Sequence, residues 1–127
     1  MYEKTILLVD DEKDFVELTS VMLEVRGGYK VVTAYDGKEA VKKANKFKPD
    51  LILMDISMPR MDGIEALKIL KAHPKTLPIP VIMLTAHGED FLREKACQLY
   101  DEDYITKPVE AAELMARIAK VLENRKI

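Results

Sequence analysis

A chain of 127 residues with a formal net charge of -2 has the length of one domain, able to bury roughly two-thirds of its unfolded surface around a single core. With 48% hydrophobic and 33% charged residues it is not a disordered chain, and the absence of any basic run beyond pairs such as Lys42-Lys43 argues against direct nucleic-acid binding. Cys97 is the single cysteine, so an internal disulfide and a cysteine-based zinc site are excluded. The N-terminal apolar run is too short for a signal peptide or membrane span, so a cytoplasmic location is expected.

The opening "MYEKTILLVDDEKD" contains Ile6-Leu7-Leu8-Val9, an apolar run without polar alternation. Strands buried on both faces read this way. The run leads into Asp10-Asp11. Phe15, Leu18, Met22 and Val25 then recur at three- and four-residue spacing, which predicts a helix with those four on its core face, stopped by Gly27-Gly28. A weaker strand is predicted at 30–34. Asp36 with Glu39, and later Asp62 with Glu65, look like capping pairs opening helices. Ala40, Ala44 and Phe47 form the face of the second helix, which Pro49 ends. In "DLILMDISMPRMDG" a second apolar run, Leu51 to Met54, meets Asp55. Ile64, Leu67 and Lys71, with Leu70 beside them, predict the third helix, ended by His73-Pro74. A third apolar run, Val81 to Leu84, leads to Thr85-Ala86. Leu92, Ala96 and Leu99 predict a fourth helix, in which Cys97 reads as a small core residue. Residues 103–106 predict a fifth strand leading to Lys107-Pro108, and Leu114, Ile118, Val121 and Leu122 a fifth helix.

Strand and helix alternate five times. That order predicts one α/β domain over residues 1–127, a doubly wound parallel sheet with right-handed crossovers. Ligands of such sheets bind beyond the carboxyl ends of the strands. Those ends carry Asp10-Asp11, Asp55, Thr85 and Lys107. Singly, each has an ordinary explanation as a helix cap, turn residue, strand-end hydroxyl or solvated lysine. Together they bring three carboxylates, a hydroxyl and an ammonium to one crevice. Two carboxylates about 4 Å apart repel by about 4 kcal/mol at an effective dielectric of 20, so a cation is needed. Oxygen donors favour a hard ion, and magnesium suits few carboxylates plus a phosphate oxygen. Lys107 adds a positive charge suited to a phosphoryl group, and an aspartate can serve as the nucleophile. On that reading Asp55 is the attacking group, and neutralising Asp10 or Asp55 relieves repulsion in the metal-free fold.

The segments "ILLVDDEKD", "TAYDGKEAV", "DLILMDISMPRMDGIEAL", "PVIMLTAHGED" and "DYITKP", in this order and spacing, resemble the receiver domain of bacterial response regulators. The resemblance covers essentially the whole chain. It implies a flavodoxin-like fold with strand order 2-1-3-4-5 and five flanking helices. It also implies that Asp55 accepts a phosphoryl group from a phosphohistidine on a sensor histidine kinase or phosphotransfer protein. Asp11, Asp55 and the backbone carbonyl of Ser57 would hold Mg2+, with Asp10 acting through a metal-bound water. Lys107 would pair with the phosphoryl oxygens and Thr85 would bond one after transfer, with small Ala86 leaving access. Ser57 and His87 occupy positions that tune dephosphorylation, and Tyr104 matches the aromatic that moves when the threonine shifts. The Lys107-Pro108 bond would be cis, an isomer open to X-Pro.

The implied function is a signalling switch rather than a turnover enzyme. It would change a surface of the fourth helix, fifth strand and fifth helix to control a downstream protein, without direct nucleic-acid or membrane binding. Two departures stand out. "LYDEDY" places Tyr100 and Asp101 where Gly-Ala is frequent, and Val109 follows Lys-Pro where a bulkier residue is common. A chain ending at "LENRKI" suits a stand-alone regulator, and a receiver cut from a longer regulator is the alternative. A magnesium-dependent aspartyl-phosphate phosphatase often carries a second aspartate two residues after the nucleophile, where this chain has Ser57. A flavin carrier of the same fold needs a phosphate loop after strand one, where this chain has carboxylates.

Overall fold

Three apolar strands require a sheet covered on both faces, and the protein builds one. The computed structural model describes residues 3–86 and 103–124. Five strands, β1 (Thr5–Val9), β2 (Lys30–Ala34), β3 (Leu51–Asp55), β4 (Val81–Ala86) and β5 (Asp103–Lys107), form one sheet in the order β2-β1-β3-β4-β5. All pairings are parallel. The doubly wound architecture and strand order expected from the sequence are therefore present. The predicted fourth helix, with Leu92, Ala96, Cys97, Leu99, Tyr100 and Asp101, lies outside the described residues, as does His87.

Each face has its own core. Leu7, Val9, Ile52, Met54 and Met83 pack under α2 (Gly37–Phe47) and α3 (Gly63–Ala72). Ile6, Leu8, Leu53, Ile82 and Leu84 pack under α1 (Lys13–Gly27) and the C-terminal helix (Ala111–Asn124). Leu114 and Ile118 are buried there as expected, with Val121 and Leu122 partly buried beside them.

The inward face of α1 differs from the expected one. Val16, Thr19 and Leu23 are buried, Phe15 and Met22 are partly covered, and Leu18 and Val25 are 74% and 78% exposed. The helix carries two aliphatic stripes, and the one that packs inward includes a threonine. Gly28 ends the helix in the left-handed region at φ 69°, its N–H donating to the Glu24 carbonyl. On α2, Ala40 and Ala44 are buried, whereas Phe47 at the end is 45% exposed.

Both acidic pairs cap as expected, in different ways. Asp62 and Glu65 form a reciprocal capping box at the start of α3, with Glu65 N–H donating to Asp62 Oδ1 at 2.9 Å. Asp36 accepts from Glu39 N–H at 2.7 Å, but the Glu39 carboxylate accepts from Tyr35 N–H at 2.6 Å instead of closing the box. Lys43, which pairs with Glu39 at 3.3 Å, donates to the Thr33 carbonyl at 2.5 Å. Two side chains of α2 thus occupy backbone groups at the outer margin of β2.

Candidate functional site

β1 and β3 are adjacent, so the residues that follow their apolar runs meet at one rim. Asp10 is completely buried and Asp55 is 6% exposed, whereas Asp11 is exposed. One carboxylate oxygen from each of the three lies within 4.8 Å of the other two. Local bonds hold the two buried groups. Asp10 N–H donates to the Ala34 carbonyl at 3.2 Å, and Asp10 Oδ1 accepts from Glu12 N–H at 2.9 Å. The Ser57 backbone N–H bonds to the Asp55 carboxylate.

Lys107, at the end of β5, reaches across to this cluster. Its Nζ donates to Asp10 Oδ2 at 2.7 Å and lies 3.8 Å from both Asp55 Oδ1 and Glu12 Oε1. The ammonium also sits 4.5 Å from the centroid of the Phe15 ring. Burial pushes against its charge, but the hydrogen bond to Asp10 and the charges of Asp55, Asp10 and Glu12 outweigh burial and raise its pKa. The Asp55 pKa rises to about 6, first through burial and then through the Asp10 charge. Lys107 and the Ser57 N–H oppose that rise, and Asp11 adds to it. Asp55 is therefore mostly ionised at neutral pH while more basic than an ordinary aspartate.

The other expected residues fall around this centre. Thr85 is buried one position past Leu84, which lies opposite Asp55 in the β3–β4 register. Ala86 stands opposite Lys107 in the β4–β5 register, and the Lys107-Pro108 bond is cis. Ser57 is exposed. Tyr104 is half-buried against the core beneath α2 and α3. It sits opposite Met83, and its carbonyl accepts from Arg117 at 3.1 Å. The structure thus brings Asp10, Asp11, Asp55 and Lys107 together, while Tyr104 packs against the core beneath α2 and α3.

Glu12 and Gly63 are residues that sequence reasoning passed over, and Phe15 is one that it read only as a core position of the first helix. Glu12 and Phe15 show themselves only through contact with Lys107, although their places just after the acidic pair were a signal. Gly63, the first residue of α3, donates its N–H to the Ile56 carbonyl at 2.8 Å. A Cβ there would collide with the Asp55 backbone oxygen and approach Ile56 Cα to 2.9 Å. Glycine lets α3 abut the end of β3. Gly63→Ala should destabilise the fold by about 2–3 kcal/mol, read as a lower unfolding midpoint in urea, because backbone rather than a flexible tip must move. An unchanged midpoint would show that the helix slides aside freely.

An acidic cluster with a lysine at the carboxyl ends of a 2-1-3-4-5 sheet matches the response regulator receiver domain family over residues 6–119. This chain belongs to that family. It is 45% identical over 124 residues to the alkaline phosphatase synthesis transcriptional regulatory protein PhoP of Bacillus subtilis, covering 98% of this chain and 50% of that protein. The chain thus spans half the length of that relative. Among solved structures, the N-terminal domain of a response regulator receiver protein from Methanoculleus marisnigri is 44% identical, with TM-score 0.74 and coverage of 93% of this chain and 95% of that one. The chemotaxis protein CheY4 of Vibrio cholerae is 28% identical, with TM-score 0.85 and coverage of 94% and 99%. Receiver domains are signalling proteins of two-component systems rather than turnover enzymes, and phosphorylation and magnesium are general features of the family. The all-oxygen donor set of Asp10, Asp11 and Asp55 fits a hard divalent cation of this kind. Among the described residues, no helix is long and apolar enough to cross a membrane.

Proposed function

We propose that this receiver domain accepts a phosphoryl group on Asp55 and acts as a cytoplasmic switch between a sensor histidine kinase, or a phosphotransfer protein, and a downstream protein. The convergence of three carboxylates within 4.8 Å, with the Lys107 ammonium 3.8 Å from Asp55 Oδ1, carries this reading. An Asp55 oxygen attacks the phosphorus, the bond from phosphorus to the histidine nitrogen breaks, and the imidazole leaves with that electron pair. A pKa of about 6 favours this role, because Asp55 is ionised at neutral pH yet a better nucleophile than an aspartate near 4. Asp11, Asp55 and the Ser57 carbonyl would hold Mg2+ directly, with Asp10 one water removed, and the ion would neutralise charge on the phosphoryl oxygens. Lys107 exchanges its bond to Asp10 for one to a phosphoryl oxygen. Thr85 bonds a second oxygen, Ala86 leaves room for entry, and Ser57 and His87 set how readily water attacks.

Phosphorylation adds about -1.5 to -2 charge, which Thr85 and Lys107 answer from adjacent strands. Tyr104, on the same strand as Lys107, then repacks and alters a surface of β5, the C-terminal helix and the fourth helix predicted from the sequence. The output is a population shift limited by how much better the phosphoryl group binds the active arrangement. Incubation with acetyl phosphate and magnesium should add one phosphoryl mass, mapped to the Asp55 peptide, base-labile and dependent on the metal. Asp55→Asn should abolish it. Equal labelling of that variant would refute the assignment.

A further inference from the structure

The Phe15 ring touches the group that must answer the incoming charge, yet the phosphoryl-transfer reading assigns it nothing. Lys107 has one short bond, to Asp10 Oδ2 at 2.7 Å, while Asp55 and Glu12 lie at 3.8 Å, beyond hydrogen-bond distance. Among the described residues the ammonium also lies over the Phe15 ring, its centroid 4.5 Å from Nζ. That ring is partly buried against the core beneath α1 and the C-terminal helix, so its position is pinned by packing. An aromatic face attracts a cation through its quadrupole but is no rival to a phosphoryl oxygen for the ammonium's N–H groups. We propose that Phe15 is a positioning residue for phosphorylation, its ring face keeping the Lys107 ammonium in the crevice while that ammonium changes partner from Asp10 to the phosphoryl group on Asp55.

The inference rests on the phospho-acceptor reading of Asp55. Without the ring, an ammonium released by Asp10 is free to turn toward exposed Glu12, whose side chain is 70% accessible, and to water. With it, the ammonium stays over the site and all three N–H groups remain available. Packing alone would account for any bulky apolar residue at position 15. An interaction with a cation requires a π face.

The test compares Phe15→Leu, which keeps apolar bulk, with Phe15→Tyr, which keeps the ring. Labelling of Asp55 by acetyl phosphate at saturating magnesium should slow about three- to tenfold in the leucine variant, with the tyrosine variant within about twofold of wild type. Thermal melts of the same samples show whether each variant is folded at the assay temperature. Should leucine fail to fold, Phe15→Met supplies the comparison, its flexible thioether filling the space without a ring. Labelling of Phe15→Leu at the wild-type rate overturns the proposal, and so does a tyrosine variant as slow as leucine. Wild-type protein that acquires no phosphoryl group on Asp55 overturns the phospho-acceptor reading itself, and this inference with it.

Discussion

Asp55→Asn should stabilise the metal-free protein by up to about 3 kcal/mol at pH 7 and by almost nothing near pH 4. The native carboxyl titrates at about 6, against 3.8 for an unperturbed aspartate, so the folded state holds its proton more tightly than the unfolded state does. Well below pH 3.8 both states are protonated and the site carries no penalty. As pH rises through 6 the folded protein must carry a buried charge beside Asp10 that the unfolded chain carries in water. Stability present at low pH is therefore lost across that window, and an uncharged asparagine does not lose it. Urea unfolding of both proteins from pH 4 to 7.5 checks this through the difference between them, which cancels the titrating groups that do not interact with Asp55. Magnesium should narrow the gap at pH 7 by stabilising the wild type more, since on the proposed reading it binds the native carboxylates. A difference that stays constant across this range would mean that Asp55 is not the group held near 6.

Lys107→Met should destabilise the protein by about 3–5 kcal/mol, the range for removing one partner of a buried ion pair. Asp10 is fully inaccessible, and among the described residues Lys107 is its ion-pair partner, at 2.7 Å. Methionine keeps most of the stem's packing and removes the charge, leaving a buried carboxylate with, among the described residues, the Glu12 N–H to bond. This geometry changes what is expected of Asp10→Asn. From the sequence alone that substitution relieves repulsion, but in the structure it also breaks the bond to Lys107, so it should not stabilise as Asp55→Asn does. The double variant, Asp10→Asn with Lys107→Met, should cost less than the two singles summed by about 1–3 kcal/mol. Denaturant midpoints of the four proteins measure this coupling, and strict additivity would show that Asp10 and Lys107 do not depend on one another.

Much of the fold and of the acidic site could be read in the sequence, because both rest on short-range patterns. Unbroken apolar runs at 6–9, 51–54 and 81–84, set between helical patterns, read as strands covered on both sides, and in a parallel sheet the polar residues just past them share one rim. The inward face of α1 was not legible in the same way. Periodicity picks out strong hydrophobes, and Leu18 and Val25 outscore Thr19, although Thr19 is the one that packs inward. The role of Gly63 was hidden for another reason. What excludes a side chain there is the Asp55 backbone oxygen, a contact made by the chain path rather than by any residue type. The partner choice of Lys107 was equally hidden. Three carboxylates in one crevice imply a cation without saying that Asp10 is the one the lysine bonds, or that Phe15 stands on its other side.

The side chains of α2 along β2 bear on how this sheet ends. β2 is an outermost strand, and an outermost strand offers free backbone groups on which any extended peptide can dock and lengthen the sheet. Lys30 and Ala34 bond inward to β1, so the groups of Val31, Thr33 and Tyr35 face away. The Thr33 carbonyl is taken by the Lys43 ammonium and the Tyr35 N–H by the Glu39 carboxylate. An arriving strand would have to dislodge two charged side chains that also hold each other, and it would put them into a desolvated seam. Aggregation by sheet growth is thereby discouraged on this flank, by a single turn of helix whose charges would otherwise pass for ordinary surface residues.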